Sequence, residues 1–283
     1  MSRTGEISEI WRFPVKSMRG ELLNRCSVGY KGLVGDRGWA IRDDEAGEVR
    51  GGRNLPGLLN SYARYLESPQ AEPYPPAMIT LPDGEELMCD DQAFNAKLSK
   101  ILGKRVSIWP ILPEEKLDHY KRLPADIAEV RRLFAREEGE PLPDMRDFPE
   151  HLRDYISPPG TYFDAYPIHI LTTSTLRYVK SLNPESDWRT ERFRPNLVID
   201  TGDEPSLIEN SWIGKTLYIN GVELTCIRPA PRCAMTAHPK GSDIEKDPKV
   251  LRTIVKDADQ NLGIYCEVKT TGQVNTGDAI EIY

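Results

Sequence analysis

The chain has 283 residues and no Cys-x-x-Cys pair; its five cysteines, Cys26, Cys89, Cys226, Cys233 and Cys266, are odd in number and widely spaced. That set argues against a disulfide framework, and it lacks the ligand spacing of a structural zinc site or a cysteine-held iron–sulfur cluster. No apolar run approaches the roughly 20 residues that cross a bilayer. The start, Met1-Ser-Arg-Thr-Gly-Glu, has no apolar core of a signal peptide, so a cytoplasmic protein without a membrane span is expected. There is no excess of basic residues: 37 Lys+Arg stand against 44 Asp+Glu, a net charge of -7. A broad nucleic-acid surface needs a basic face, so no nucleic-acid partner is expected, although a local anion pocket stays open. No phosphate-binding Walker loop, no Gly-x-Gly-x-x-Gly and no His-Glu-x-x-His occurs, and His119, His151, His169 and His238 show no ligand spacing. Internal repeats and low-complexity segments are also missing.

What is there is ordinary for a soluble globular protein: 39% hydrophobic and 29% charged residues, enough chain for one large or two modest domains. Strand patterns cover Glu6–Phe13, Leu22–Val28 and Trp39–Arg42, separated by glycine-rich turns, and Gly51-Gly52 marks a break. Asp83-Gly84 and Asn220-Gly221 each sit between short apolar runs and predict hairpins, the second of type I′. Helical spacing appears over Gln92–Leu102, near Ala125–Ala135, over Thr173–Leu182 and over Asp247–Ala258. Residues 113–160 are charged and proline-rich and read as a linker with a mobile loop. Many short strands with few helices predict a β-rich α+β architecture built on a barrel.

Three clusters carry chemistry. Cys233 lies in Pro229-Ala-Pro231-Arg232-Cys233-Ala-Met-Thr236, where two prolines stiffen the approach and a permanent cation adjoins the thiol; thiolates ligate soft metals, and nearby cations favour the thiolate. Arg192 and Arg194 flank Phe193 before a short strand at Asn196–Ile199. On an extended chain they point the same way and converge on one anion, with Asn196 adding an amide. Pro14-Val-Lys16-Ser17 ends the first strand with a cation beside a hydroxyl, suited to a phosphate. Asp36-Arg37 opens the strand that holds Trp39. Cys26, Cys226 and Cys266 fall inside strand patterns and read as structural, as does Cys89 after the Asp-Gly hairpin. His169, in an apolar run, reads as a satisfied core residue; His238, close to the Cys233 loop, is a lesser candidate for proton delivery.

Taken together, Pro14-Val-Lys16-Ser17, Asp36-Arg37, Phe193-Arg194-Pro195-Asn196, Arg232-Cys233-Ala-Met-Thr236 and the closing Gly272-Gln-Val-Asn-Thr-Gly277-Asp278 resemble, in order and over nearly the whole chain, the MOSC superfamily, and within it the branch of the mitochondrial amidoxime reducing component. The resemblance implies a MOSC-type β-barrel with flanking helices plus a smaller α/β domain in the N-terminal half. Because Lys16 and Arg37 must reach the ligand that Cys233 reaches, the barrel is expected to be discontinuous, residues 1–52 plus 155–283. Residues 53–154 would form a MOSC N-terminal-type insertion ending in a charged, proline-rich linker at 113–154. The resemblance also implies a molybdenum cofactor of the molybdopterin type, its metal ligated by Cys233. Lys16, Ser17, Arg37 and Arg194 would grip its phosphate and pterin tail, and Asn196, Arg232 and Thr236 would line the pterin or metal-facing side. Cys233 and Arg232 are the implied catalytic residues, Arg232 for proton delivery. The implied reaction is reduction of N-oxygenated small molecules such as amidoximes and hydroxylamines. Some relatives carry a C-terminal ferredoxin module that is not in this sequence, so an external electron donor (ferredoxin, cytochrome or flavoprotein) is expected. The alternative is a cofactor-binding or sulfur-carrier protein without turnover of its own.

Overall fold

The first strand is long, alternating and flanked by turns, and in the computed structural model, which describes residues 3–124, 126–143 and 148–283, it becomes the seam that closes a barrel. In chain order the N-terminal strands are β1 (Arg3–Arg12), β2 (Glu21–Leu23), β3 (Arg25–Gly29), β4 (Gly32–Leu33), β5 (Trp39–Asp43), β6 (Glu48–Arg50), β7 (Tyr62–Arg64), β8 (Met78–Thr80), β9 (Glu86–Met88) and β10 (Val106–Pro110). The C-terminal strands are β11 (Ile168–Thr172), β12 (Leu197–Asp200), β13 (Thr216–Ile219), β14 (Val222–Pro231), β15 (Asn261–Thr270), β16 (Gly272–Asn275) and β17 (Ala279–Ile282). Helices α1 (Phe94–Leu102), α2 (Leu117–Tyr120), α3 (Ile127–Leu133), α4 (Thr173–Leu182) and α5 (Pro248–Asp257) lie among them.

Seven strands form a closed ring, β12-β11-β15-β14-β13-β17-β1, with β1 returning to β12 and β2 attached to β1. Only β11 and β12 run parallel, and α4 supplies the crossover that a parallel pair requires. Ile10, Leu197, Ile170, Ile264 and Pro229 are successive partners across this wall. Inside, Ile7, Ile10, Ile170, Leu197, Leu217, Leu224 and Ile264 build one core, and Cys26, Cys226 and Cys266 fill space in it. The β-rich α+β architecture expected from the sequence is therefore the observed one.

A second core joins Val15, Trp39, Leu58, Ile79, Phe94 and Leu98, where α1 covers the hairpins β7-β8-β9; Cys89 is buried there. The Asp83-Gly84 and Asn220-Gly221 turns form as expected, with Asn220 and Gly221 both at positive φ, 47° and 87°. Two local expectations fail. Leu22–Val28 is not one strand: the chain breaks at Asn24, β2 pairing with β1 and β3 with β16. The described part of residues 113–160 is not free of the body: Tyr120 and Ile156 pack with Ala40 and Val49, and Leu123 N–H donates to Glu48 at 2.8 Å. The helix in this segment spans Ile127–Leu133, and Ala125, where it was expected to begin, lies outside the described residues.

Candidate functional site

Strand ends and the turns beyond them assemble one cleft. Lys16 and Ser17 follow β1, Arg37 precedes β5, Arg192, Arg194 and Asn196 precede β12, and Arg232, Cys233 and Thr236 follow β14. All nine candidate residues line it, together with Asp164, Tyr166, His169, Met235 and Tyr265. Cys26, Cys89, Cys226 and Cys266 are buried, whereas Cys233 is half-exposed. Pro229 and Pro231 lie in β14 where its register with β15 slips; a residue without an N–H is tolerated at such bulges. After them Cys233 caps a short 3-10 turn, Ala234–Thr236, closed by the Thr236 N–H and hydroxyl on the Cys233 carbonyl at 3.1 and 3.0 Å.

The cations do not converge as an extended chain would make them. Thr190–Arg192 is a 3-10 turn, so Arg192 and Arg194 do not project alike. Arg192, almost fully buried, donates to the carbonyls of Thr236 at 3.2 Å and Glu245 at 2.9 Å and pairs with Asp187 at 3.3 Å. It fastens the cysteine loop to the body. Arg37 takes the place expected for it: Arg37 and Arg194 both lie on the ring of Phe13, at 5.2 and 4.1 Å from its centre. Asp36 organises the group, accepting from Phe13 N–H at 2.8 Å and Asn196 Nδ2 at 3.0 Å and pairing with Arg37. Asn196 is thereby committed to the scaffold, its Oδ1 accepting from His169 N–H at 3.1 Å. Arg232 donates its guanidinium to the Phe193 carbonyl at 2.6 Å and its backbone N–H to the Gln260 carbonyl at 2.8 Å.

Positive charge is crowded here. Burial, then Arg37, brings Arg194 down to about 9, and burial, then Arg194 and Arg192, brings Lys240 down to about 7. Lys16 Nζ donates to the Tyr162 carbonyl at 2.7 Å and to Asp164 at 2.6 Å; burial still lowers it, with Arg53 and Arg37 adding to the effect. For Asp164 burial pulls upward, but Lys16 and Arg53 outweigh it and hold the carboxyl below its usual range. His169, deep in the wall, stays neutral because of its burial and Arg232. Burial raises Tyr265 to about 12, so it keeps its proton. Ser17, Arg37 and Arg194 sit at positive φ, 68°, 50° and 55°, a costly conformation for residues with a Cβ that concentrates at functional sites.

The N-terminal residues 4–106 match the MOSC N-terminal beta barrel domain, and residues 158–281 match the MOSC domain. The chain belongs to the MOSC superfamily. It is 25% identical over 304 positions to Mitochondrial amidoxime reducing component 2 of Rattus norvegicus, covering 99% of this chain and 84% of that protein. The Bos taurus protein of the same name is 22% identical over 306 positions, with the same coverage. Among solved structures, the YUAD protein of Bacillus subtilis aligns with 98% of this chain and 94% of its own at 14% identity and a TM-score of 0.47.

Several residues of this MOSC site were not singled out in the sequence. Asp164 and Tyr265 stand in runs with no motif, and Lys240, outside the lining but within electrostatic reach of Arg194 and Cys233, looks like any loop lysine. Gly51-Gly52 carried a signal read only as a break. A Cβ on Gly51 would meet the Ser17 hydroxyl at 2.8 Å and one on Gly52 the Met235 methyl at 3.1 Å, so glycine lets this turn lie against the cleft. His238 is not among the lining residues.

Proposed function

We propose that the protein is a molybdenum-cofactor-dependent reductase that takes oxygen from N-oxygenated small molecules with electrons from an external donor. The observation that carries this is the buried, incompletely neutralised group of cations around one half-exposed thiol. Lys16, Arg37, Arg194, Arg232 and Lys240 share the region chiefly with Asp36 and Asp164. The Nε atoms of Arg192 and Arg232 are buried without a partner, and an unmade hydrogen bond of this kind costs about 1–3 kcal/mol. An anionic group bound in the cleft offsets both costs, so the donor set fits a phosphate-bearing cofactor. Lys16, Ser17, Arg37 and Arg194 would hold the phosphate and pterin tail, Asn196, Arg232 and Thr236 would shape the side facing the metal, and Cys233 would be the ligand the chain supplies. Among the described residues no three His, Cys, Asp or Glu side chains cluster as a metal site, so the remaining ligands must come with the cofactor.

Bound there, the cofactor supplies two-electron oxygen transfer: an amidoxime plus two electrons and two protons becomes an amidine and water. The chain's residues set the surroundings. Arg232 brings a fixed positive charge beside Cys233 and to the cleft where the substrate oxygen must lie. Burial holds the proton on the Tyr265 hydroxyl at neutral pH, and neutral His169 closes the wall beside it. The test uses protein purified from cells that make molybdopterin. Molybdenum is expected at up to one per chain and is lost in Cys233→Ala; after dithionite reduction, benzamidoxime should reoxidise the wild type. Bound molybdenum without reoxidation would make the protein a carrier, and equal, negligible molybdenum in both proteins would end the cofactor reading.

A further inference from the structure

A second cleft meets the first along Lys16, Ser17, Asp164 and Met235, which line both. Its remaining wall brings Arg50, Arg53 and Arg122 together. Two of its cations are already answered: Lys16 pairs with Asp164 at 2.6 Å, and Arg50 with Glu48 at 2.7 Å. Glu129 is used by Asn54 Nδ2, which it accepts at 3.2 Å. Among the described residues Arg53 and Arg122 make no ion pair; Arg122 spends its Nε on the Tyr155 carbonyl at 3.2 Å. Both are half-buried. Burial and then the charge of Arg53 pull Arg122 below its usual range, while Arg53 is held up against its burial by Asp164 and by Cys233. Two guanidinium groups thus line a shared space, attracted by Asp164 and Glu48 but ion-paired with neither, and one of them is within electrostatic reach of the thiol. Leu133 and Ile156 add an apolar wall.

We propose that this second cleft is an anion subsite for the substrate, in which Arg53 and Arg122 bind a carboxylate carried by the N-oxygenated compound while its N–O group lies at Cys233. The assignment of a substrate class rests on the reductase reading above; the anion subsite itself does not. Planar, permanently charged guanidinium groups suit a carboxylate because each can donate two parallel N–H bonds to it. The cofactor phosphate is the competing occupant, but it has its own cations in Lys16, Arg37 and Arg194.

The test compares benzamidoxime with 4-carboxybenzamidoxime, which differ by one carboxylate. Binding to the oxidised holoprotein, with no electron donor present, is measured by titration calorimetry at low and high salt. The carboxylated probe is expected to bind about tenfold more tightly, the scale of one charge-assisted contact, and raised salt should narrow the gap. In Arg122→Gln the preference should vanish, and in Arg122→Lys it should partly return, which separates lost charge from lost folding. Equal affinities in the wild type, or a preference that survives Arg122→Gln, would overturn the proposal. So would a loss of molybdenum from Arg122→Gln, which would give the cleft to the cofactor. If the preference appears but neither probe is reduced by the dithionite-reduced protein, the subsite stands and the reductase reading falls.

Discussion

Phe13 does more at this site than its apolar side chain suggests. It is fully enclosed, its N–H is tied to Asp36, and its ring carries two like charges, Arg37 and Arg194, within 5.2 and 4.1 Å of its centre. Each such contact is worth about 0.5–2 kcal/mol, more when desolvated, and here they offset repulsion between guanidinium groups that no single carboxylate neutralises. Phe13→Leu keeps the apolar volume and removes the ring's negative face. It should leave the protein folded, cost about 1–3 kcal/mol, and lower molybdenum content after purification as the arginines lose their placement. Metal analysis beside a thermal melt checks both; full molybdenum retention would remove Phe13 from this role. The identities of Lys16, Arg37, Arg194 and Cys233 were legible as motifs. The direction of each side chain was not, because it depends on backbone angles such as the positive φ of Arg37 and Arg194. Arg192 illustrates the difference: next to the motif in sequence, it turns to the Thr236 and Glu245 carbonyls.

At the scale of elements, the periodic segments matched expectation where local preference and packing agree. Helix α4 begins where Thr172 offers its side chain to Thr175 N–H at 3.1 Å, a standard N-cap. The same hydroxyl donates at 2.8 Å to Glu209, a fully buried carboxylate whose pKa burial pushes up. Thr172→Ala therefore removes a cap and one of the donors to a buried acid, and a loss of about 2–3 kcal/mol is expected. Denaturant unfolding measures it, and Thr172→Ser should recover most of it; a change below about 0.5 kcal/mol would refute the double role. The failures were equally physical. Leu22–Val28 has continuous strand propensity, yet Asn24 sends its halves to different sheets, β1 and β16 being the partners available. The charged 113–160 segment looked unattached because its anchors, Tyr120 and Ile156, are single apolar residues spaced too widely to form a pattern.

Over the whole molecule, the N-terminal strand completes the C-terminal barrel. β1 lies between β12 and β17, and β3 pairs with β16, so residues near the start of the chain cover edges left by strands of the C-terminal half. Gly5 sits at that seam, where a Cβ would meet the Asp200 carbonyl oxygen at 2.3 Å. We propose residues 1–52 with 155–283 as the unit that holds the cleft of Cys233. Residues 155–283 expressed alone should then expose the edges of β12 and β17, bind no cofactor and show no cooperative unfolding. Adding residues 1–52 in trans should restore a cooperative transition, followed by circular dichroism. A cooperative melt from the fragment alone would assign the folding unit to the C-terminal part.

From its sequence the protein was already determined to be β-rich, without a helix-length apolar span, disulfide pattern or basic face, and to carry five short motifs in MOSC order. Those properties are local: they follow from side-chain chemistry, alternation and turn residues. Tertiary structure decided which cations stand together, placing Arg37 with Arg194 on the Phe13 ring while Arg192 turns to the Thr236 and Glu245 carbonyls. It decided that Asp164 and Tyr265 line the cleft of the thiol, and that Arg53 and Arg122 line the one that adjoins it. The reason is that barrel closure and the positive-φ turns set distances between residues far apart in the chain, and no spacing along the sequence encodes such a distance.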